Sequence, residues 1–90
     1  MELVHVKSQN RWLALNDEIQ IGELIYEITK DNMTISHAEV DAHYRGHKIA
    51  EELVLSAIQQ ARESKLKVVP ACSFAKIVFE RYPEQQDLLA

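Results

Sequence analysis

Residues 39–54 read EVDAHYRGHKIAEELV, and a change of pattern inside this stretch decides the fold. Apolar and polar residues alternate with a period of two ahead of it, whereas from Ile49 onward apolar residues recur at helical spacing. Gly46 lies at the change, where a residue without a side chain lets the backbone turn tightly. The stretch therefore predicts the end of a strand, a short turn and the start of a long helix.

Upstream of this stretch the sequence predicts a β-meander. Leu24 and Tyr26 alternate with Glu23 and Glu27, as expected for a sheet with one buried and one wet face. Polar pairs separate the runs, and the pair Asp31-Asn32 suits a two-residue hairpin turn. The four predicted strands, each rich in β-branched or aromatic residues, are residues 4–7, 12–15, 23–30 and 33–40.

Downstream, the long helix is followed by the short, mostly apolar run LKVVP at residues 66–70. A strand reached through a crossover helix pairs in parallel with the strand before that helix. A second helix fits residues 74–82, with Ser73 as its N-cap and Pro83 at its end. The predicted fold is α+β in the order β-β-β-β-α-β-α, mainly antiparallel, with the fourth and fifth strands parallel.

Length and composition indicate one globular domain over residues 1–90. Hydrophobic residues form 47% of the chain and charged residues 27%, the balance of an ordinary folded protein. A domain this short is only modestly stable, so a bound ligand or a partner subunit adds useful stability. A homodimer is therefore one option for its assembly.

Charge and hydropathy exclude several partners. A net charge of −4 opposes non-specific binding to nucleic acid, which needs a basic surface. No apolar run approaches the roughly 20 residues of a membrane helix, and the N-terminus lacks a leader pattern, so we expect no membrane contact and a cytoplasmic location. The single cysteine, Cys72, forms no internal disulfide, and no metal-ligand spacing is present.

The turn before the long helix is a candidate anion site. Backbone N–H groups at a helix N-terminus point outward at the positive end of the helix dipole. Arg45 and Lys48 add positive charge there, and Gly46 permits close approach of a ligand. A cofactor with a pyrophosphate is one candidate ligand; the alternative is an ordinary strand–helix connection with solvated basic residues.

Residues 39–54 resemble the acetyl-CoA motif of the GNAT superfamily of acyltransferases. In that motif a strand ending in Val precedes an Arg/Gln-x-x-Gly-x-Gly/Ala turn and a helix. The resemblance extends over about residues 37–88, because Val69-Pro70, Cys72 and Tyr82-Pro83-Glu84 are similar to small GNAT-like proteins of about this length.

The resemblance implies acetyl-CoA as the cofactor and an acyl-CoA as the partner molecule. It places the pantetheine arm beside residues 36–40, bound through the backbone. The central motif glycine is Lys48 here, which implies weakened or altered binding. The implied cofactor-binding residues are Ala38, Val40, Arg45, Gly46, His47, Lys48, Ile49 and Ala50.

Cys72 is the first candidate for catalysis. It lies just before the second helix, where the dipole favours a thiolate, so it could accept an acetyl group. The alternative is a buried cysteine that acts as a small hydrophobic residue. The small GNAT-like proteins carry a cysteine at this point.

Three other residues are candidates for proton transfer. His37 and Glu39, two apart on the fourth strand, share a face, and either could deprotonate an amine or remain an ordinary surface residue. Tyr82 resembles the late tyrosine that protonates departing CoA in acyltransferases, or it forms part of the helix stop with Pro83.

The leading functional hypothesis is an acetyl-CoA-dependent N-acetyltransferase that acts directly or through an acetyl group on Cys72. The acceptor is an unidentified amine or protein side chain, since 90 residues leave little chain for an acceptor pocket. The alternatives are a non-catalytic acetyl-CoA-binding module and a protein-interaction module with the same fold.

Overall fold

The computed structural model describes residues 1–46 and 48–90. Five strands and two α-helices follow one another in the predicted order, with short 3₁₀ turns at Lys7–Gln9, Ala42–Tyr44 and Pro83–Leu88. The described helices include none that combines the length and the apolar character needed to cross a bilayer. The elements are β1 (Glu2–Val6), β2 (Arg11–Asn16), β3 (Ile19–Thr29), β4 (Asn32–Val40), α1 (Ile49–Glu63), β5 (Lys67–Pro70) and α2 (Ser73–Arg81).

The strands form one sheet in the order β1-β2-β3-β4-β5. Neighbours run antiparallel except β4 and β5, which run parallel because α1 carries the chain back across the sheet. This arrangement confirms the predicted α+β fold. The core is formed by the sheet face that packs against α1, with buried side chains that include Leu24, Tyr26, Met33, Ile35, Leu53, Val54 and Ile58.

Strand and helix ends differ from the sequence prediction by up to four residues, and two of the differences correct a predicted turn and a predicted cap. Thr29 pairs with Asn32, so the two-residue loop of this hairpin is Lys30 and Asp31, with Lys30 at a φ of 52°. The predicted pair, Asp31-Asn32, was wrong because Asn32 already belongs to β4. Ser73 was also wrong as the N-cap: it is the first residue of α2, and Cys72, with extended backbone, is the N-cap.

A β-bulge in β4 determines which side chains face the core. The register with β3 slips between Ile25 and Tyr26, which leaves Ser36 as an extra residue in β4. Buried positions are odd-numbered before the bulge, as at Ile35, and even-numbered after it, as at Ala38 and Val40. His37 and Glu39, the odd-numbered residues after the bulge, therefore lie on the opposite face of the sheet.

β4 and β5 separate after a short parallel pairing. The last paired residues are Ile35 and Pro70, and the N–H groups of Ala71 and Cys72 then both donate to the carbonyl oxygen of Ile35, at 3.0 and 3.2 Å. The chain leaves the sheet there to form α2. Within the described residues, β5 thus gives residues 36–40 no strand partner on this side, and the two strands form a fork.

Gly22 on β3 is required by the close approach of its neighbours. A Cβ atom there would lie 3.1 Å from the carbonyl oxygen of Glu39, 3.3 Å from Val40 Cγ2 and 3.4 Å from Leu53 Cδ1. We predict that Gly22→Ala lowers the free energy of unfolding by about 1–3 kcal/mol, as overpacking does. Urea unfolding measures this loss.

Gly46→Ala is the matched control for that change. An added Cβ at Gly46 meets no atom within 4 Å, so its only cost is the strain of a φ of 87°, about 1–2 kcal/mol. The second substitution Leu53→Val makes room beside residue 22 and not beside residue 46. It should therefore restore no stability to Gly46→Ala. A Gly22→Ala variant as stable as the wild type would refute this account of the packing.

Candidate functional site

A cavity of about 320 Å³ lies where the fork opens. Its walls are the end of β4, the turn that follows, the first turn of α1 and one side of α2. The sequence predicted part of this wall as cofactor-binding residues, and those that line the cavity are Val40, Arg45, Gly46, Lys48, Ile49 and Ala50. Ala38 is buried on β4, two residues before Val40, and does not line the cavity. His47 lies outside the described residues.

The turn reaches the helix through two residues of positive φ. Gly46 has a φ of 87°, and Lys48, the N-cap of α1, adopts the left-handed conformation with φ 61° and ψ 23°. Glycine adopts that conformation without cost, whereas a lysine there costs about 1–2 kcal/mol. Lys48 occupies the position of the motif's central glycine, and its backbone has the conformation that a glycine favours.

Among the residues that the structure describes, the first N–H groups of α1 have no hydrogen-bond acceptor, and the first turn of this helix lines the cavity. A helix leaves its first N–H groups without intrahelical acceptors, and here those groups belong to Ile49, Ala50 and Glu51. The side chains of Arg45 and Lys48 are exposed beside them. Backbone donors, helix dipole and two cations together suit a phosphate or pyrophosphate group.

A cluster of three side chains, Glu51, Arg81 and Tyr82, joins the two helices at this cavity. Glu51 is only 9% exposed, and its carboxylate accepts hydrogen bonds from Arg81 Nη1 at 2.7 Å and from the Tyr82 hydroxyl at 3.1 Å. The bond from Arg81, reinforced by that from Tyr82, lowers the pKa of Glu51. The same carboxylate raises the pKa of Tyr82, so Tyr82 keeps its proton.

One side of α2 forms the apolar wall of the cavity. Phe74 and Ile77 line it and remain 41% and 45% exposed, and Arg81 lines it one turn further on. Residues spaced three and four apart lie on the same helix face. That spacing was visible in the sequence and could have identified Arg81 as a site residue.

The structure does not bring His37 and Glu39 to this cavity. They lie on the opposite sheet face, where His37 Nε2 and Glu39 Oε2 are 3.1 Å apart. Their side chains are 44% and 67% exposed. Glu39 instead borders a smaller hollow of about 130 Å³ that Glu23 and Asp41 also line.

Cys72 and Tyr82 lie at opposite ends of α2. Cys72 is a free, half-buried thiol at the point of the fork, next to the residue pair that ends the β4–β5 pairing. Tyr82 is the C-cap of α2, and its hydroxyl proton is directed at Glu51. The structure thus places the two candidates at the two ends of the helix that forms one cavity wall, and neither of them lines the cavity itself.

Together these features give an α+β domain of the kind that the resemblance implied, with one cavity between the fork and the two helices. The cavity is basic at the turn and the first turn of α1, and apolar along the wall formed by α2. Among the described residues no group of three or more His, Cys, Asp or Glu side chains could hold a metal ion.

Comparison with known proteins agrees with this class. The profile of the GCN5-related N-acetyl-transferase family matches residues 11–88. A solution structure of a GCN5-like protein from Staphylococcus aureus superposes with a TM-score of 0.76 at 24% identity, covering 99% of this chain and 87% of that one. No curated protein matches this sequence.

Two larger structures share the fold. The ribosomal-protein-S18-alanine N-acetyltransferase of Escherichia coli gives a TM-score of 0.66 at 16% identity over 81% of this chain. Rv2747 of Mycobacterium tuberculosis, solved in complex with CoA, gives 0.65 at 24% identity over 83%. This chain spans about half of those proteins, namely 50% and 48% of their lengths.

Because the family profile covers most of the sequence, the chain belongs to the GCN5-related N-acetyltransferase family. Acetyl-CoA is the cosubstrate of this family. The resemblance found in residues 39–54 is thereby confirmed.

Proposed function

We propose that this protein is an acetyl-CoA-dependent N-acetyltransferase whose acetyl-CoA site is the cavity at the fork. The observation that carries the proposal is the joint placement of a basic turn, a free helix N-terminus and an apolar wall around one space of about 320 Å³. Each part of that space suits one part of the acetyl-CoA molecule.

The fit follows the length of the cofactor. Its pyrophosphate suits the N–H groups of the first turn of α1 together with Arg45 and Lys48. Its pantetheine arm carries amides that can pair with the strand edge of residues 36–40, as an added strand does. Its thioester then lies at the fork, near Cys72 and the N-terminal end of α2.

In the direct route a neutral amine attacks the thioester carbonyl carbon. The bond from that carbon to the CoA sulfur breaks, the amine loses a proton to a base, and the departing thiolate gains one. His37 or Glu39 is the proposed base, and Tyr82 the proposed acid. A water connects the base to the amine from the other face of the sheet. Because Tyr82 lies at the far end of α2 from the fork, its proton reaches the thiolate only through a chain of waters along the cavity.

In the alternative route Cys72 acts as a nucleophile. Its sulfur attacks the thioester carbonyl, free CoA leaves with a proton, and an S-acetyl-cysteine remains, which an amine then attacks. The position of Cys72 at the point of the fork supports this route, because its N–H group donates to the Ile35 carbonyl oxygen there, where the proposed thioester lies.

The acceptor would approach over the sheet face that carries His37 and Glu39. We propose a protein side chain or another amine as the acceptor, in the cytoplasm, with a second copy of the chain forming a further wall of the acceptor site. Half-exposed apolar side chains on this face, such as Leu13 and Ile25, support an acceptor or partner that covers it.

A second candidate function is an acetyl-CoA-binding module without catalysis. One observation favours it: His37 and Glu39, in contact with each other, lie on the face opposite the core and do not line the cavity. Such a protein would bind the cofactor through the same residues and would release no CoA.

Intact-mass analysis after incubation with acetyl-CoA tests the chemistry. We predict a gain of one acetyl group on the wild type that Cys72→Ala and Cys72→Ser do not show, and CoA release when an amine acceptor is added. CoA release by Cys72→Ser at the wild-type rate would reject the cysteine route and leave the direct one. Saturable binding without acetylation or CoA release across primary amines and peptides would establish the binding module instead.

A further inference from the structure

We propose that Arg81 binds the 3′-phosphate of CoA and that Glu51 is the residue that positions it. This inference rests on the proposed acetyl-CoA site and adds a specificity for phosphorylated CoA. The starting observation is that the positive charge of Arg81 is not part of the proposed pyrophosphate site. Arg81 lies on a different element from Arg45 and Lys48, yet it lines the same cavity.

The position of Arg81 follows from its contact with α1. Its Nη1 donates to the Glu51 carboxylate at 2.7 Å, and Glu51 belongs to the first turn of α1, whose N–H groups form the proposed pyrophosphate site. The guanidinium is therefore held next to that site. In CoA the 3′-phosphate is separated from the pyrophosphate by a single ribose, so a ligand at the first turn of α1 brings its 3′-phosphate into the neighbourhood of Arg81.

Arg81 keeps donors available for a ligand. A guanidinium has five N–H donors, and the contact with Glu51 uses Nη1. The Arg81 side chain is 57% exposed, whereas that of Glu51 is 10% exposed. Glu51 is thus held within the protein, whereas Arg81 presents its remaining N–H donors to the cavity and the solvent.

The direction of the ligand agrees with this assignment. The cavity runs along α2 from Phe74, near the fork, to Arg81, beside the first turn of α1. If the thioester lies at the fork, the nucleotide end reaches Arg81. Its phosphate is a dianion at neutral pH, for which arginine is well suited.

Glu51 acts through Arg81 rather than on the ligand. Its carboxylate also accepts from the Tyr82 hydroxyl at 3.1 Å, so it is held from two sides. A glutamine at this position retains the shape and an acceptor oxygen but loses the ionic attraction. Glu51→Gln should therefore loosen Arg81 without emptying the site.

The test is a calorimetric comparison of CoA with 3′-dephospho-CoA. We expect the wild type to bind CoA about tenfold more tightly, the size of one charge-assisted hydrogen bond. Arg81→Gln should weaken CoA about tenfold, leave dephospho-CoA nearly unchanged and bring the ratio close to one. Glu51→Gln should give an affinity ratio between those of the wild type and Arg81→Gln. A merely structural role would not change this selectivity.

Lys76→Gln is the matched control, because it removes the same charge from an exposed position of α2 that does not line the cavity. It should keep the wild-type ratio. Equal affinity of the wild type for the two ligands would overturn the inference, whether or not the variants fold. Equal weakening of both ligands in Arg81→Gln would also overturn it and assign Arg81 to the pyrophosphate. If the wild type binds neither ligand, the proposed acetyl-CoA site itself fails.

Discussion

Replacing Ala50 with Glu is expected to reduce acetyl-CoA affinity by at least about 100-fold. Ala50 lines the cavity in the first turn of α1, where the proposed pyrophosphate lies. A carboxylate about 4 Å from a phosphate charge costs on the order of 4 kcal/mol at the effective dielectric of a protein surface. Isothermal titration with acetyl-CoA measures the loss.

The fold should tolerate this substitution. A carboxylate in the first turn of a helix interacts favourably with the helix dipole, so the thermal midpoint should stay the same or rise. Gln59→Glu, on the exposed side of the same helix, makes the same change of charge away from the cavity and should bind as the wild type does. Undiminished affinity in Ala50→Glu would place the cofactor elsewhere.

The largest effect on stability is expected from Leu53→Ala. Leu53 is fully buried in the core, and its Cδ1 atom lies against the backbone of Gly22, where α1 packs on the sheet. Removing a buried leucine side chain costs about 2–5 kcal/mol, a large share of the total for a small domain. The thermal midpoint should fall by roughly 8–40 °C, as followed by circular dichroism.

Leu55→Ala provides the comparison on the same helix. Leu55 is half-buried at the edge of the core, so its loss removes less buried area and should cost clearly less. Saturating acetyl-CoA should raise the midpoint of both variants, because a ligand that binds only the folded state stabilises it. Equal destabilisation by the two substitutions would contradict the assignment of the core.

The order of the elements could be predicted from local patterns. The change of period at Ile49 identified the first residue of α1, and the apolar run before Pro70 identified β5 and its parallel pairing. Strand ends were less accurate: β3 was predicted from residue 23, whereas the structure begins it at Ile19. The residues around Gln20 pair with β2 through a register shift, which no periodicity of their own reveals.

The site was predictable only where backbone chemistry defines it. The basic turn and the helix N-terminus follow from residues close together in sequence, and Arg45, Lys48 and Ala50 do line the cavity. The burial of Glu51 could not be predicted, because its carboxylate pairs with Arg81, thirty residues away. The separation of His37 and Glu39 from the cavity depends on the bulge at Ser36, which changes the side-chain alternation along β4.

NMR mapping of acetyl-CoA binding on the ¹⁵N-labelled chain tests the central claim most directly. Titration should saturate, with the largest amide shifts confined to residues 36–40, the turn at 45–50 and the cavity side of α2. The amide shifts of β1 and β2, at the edge of the sheet opposite β5, should remain almost unchanged. Absence of shifts at millimolar acetyl-CoA, or shifts concentrated on β1 and β2, would contradict an acetyl-CoA site at the fork.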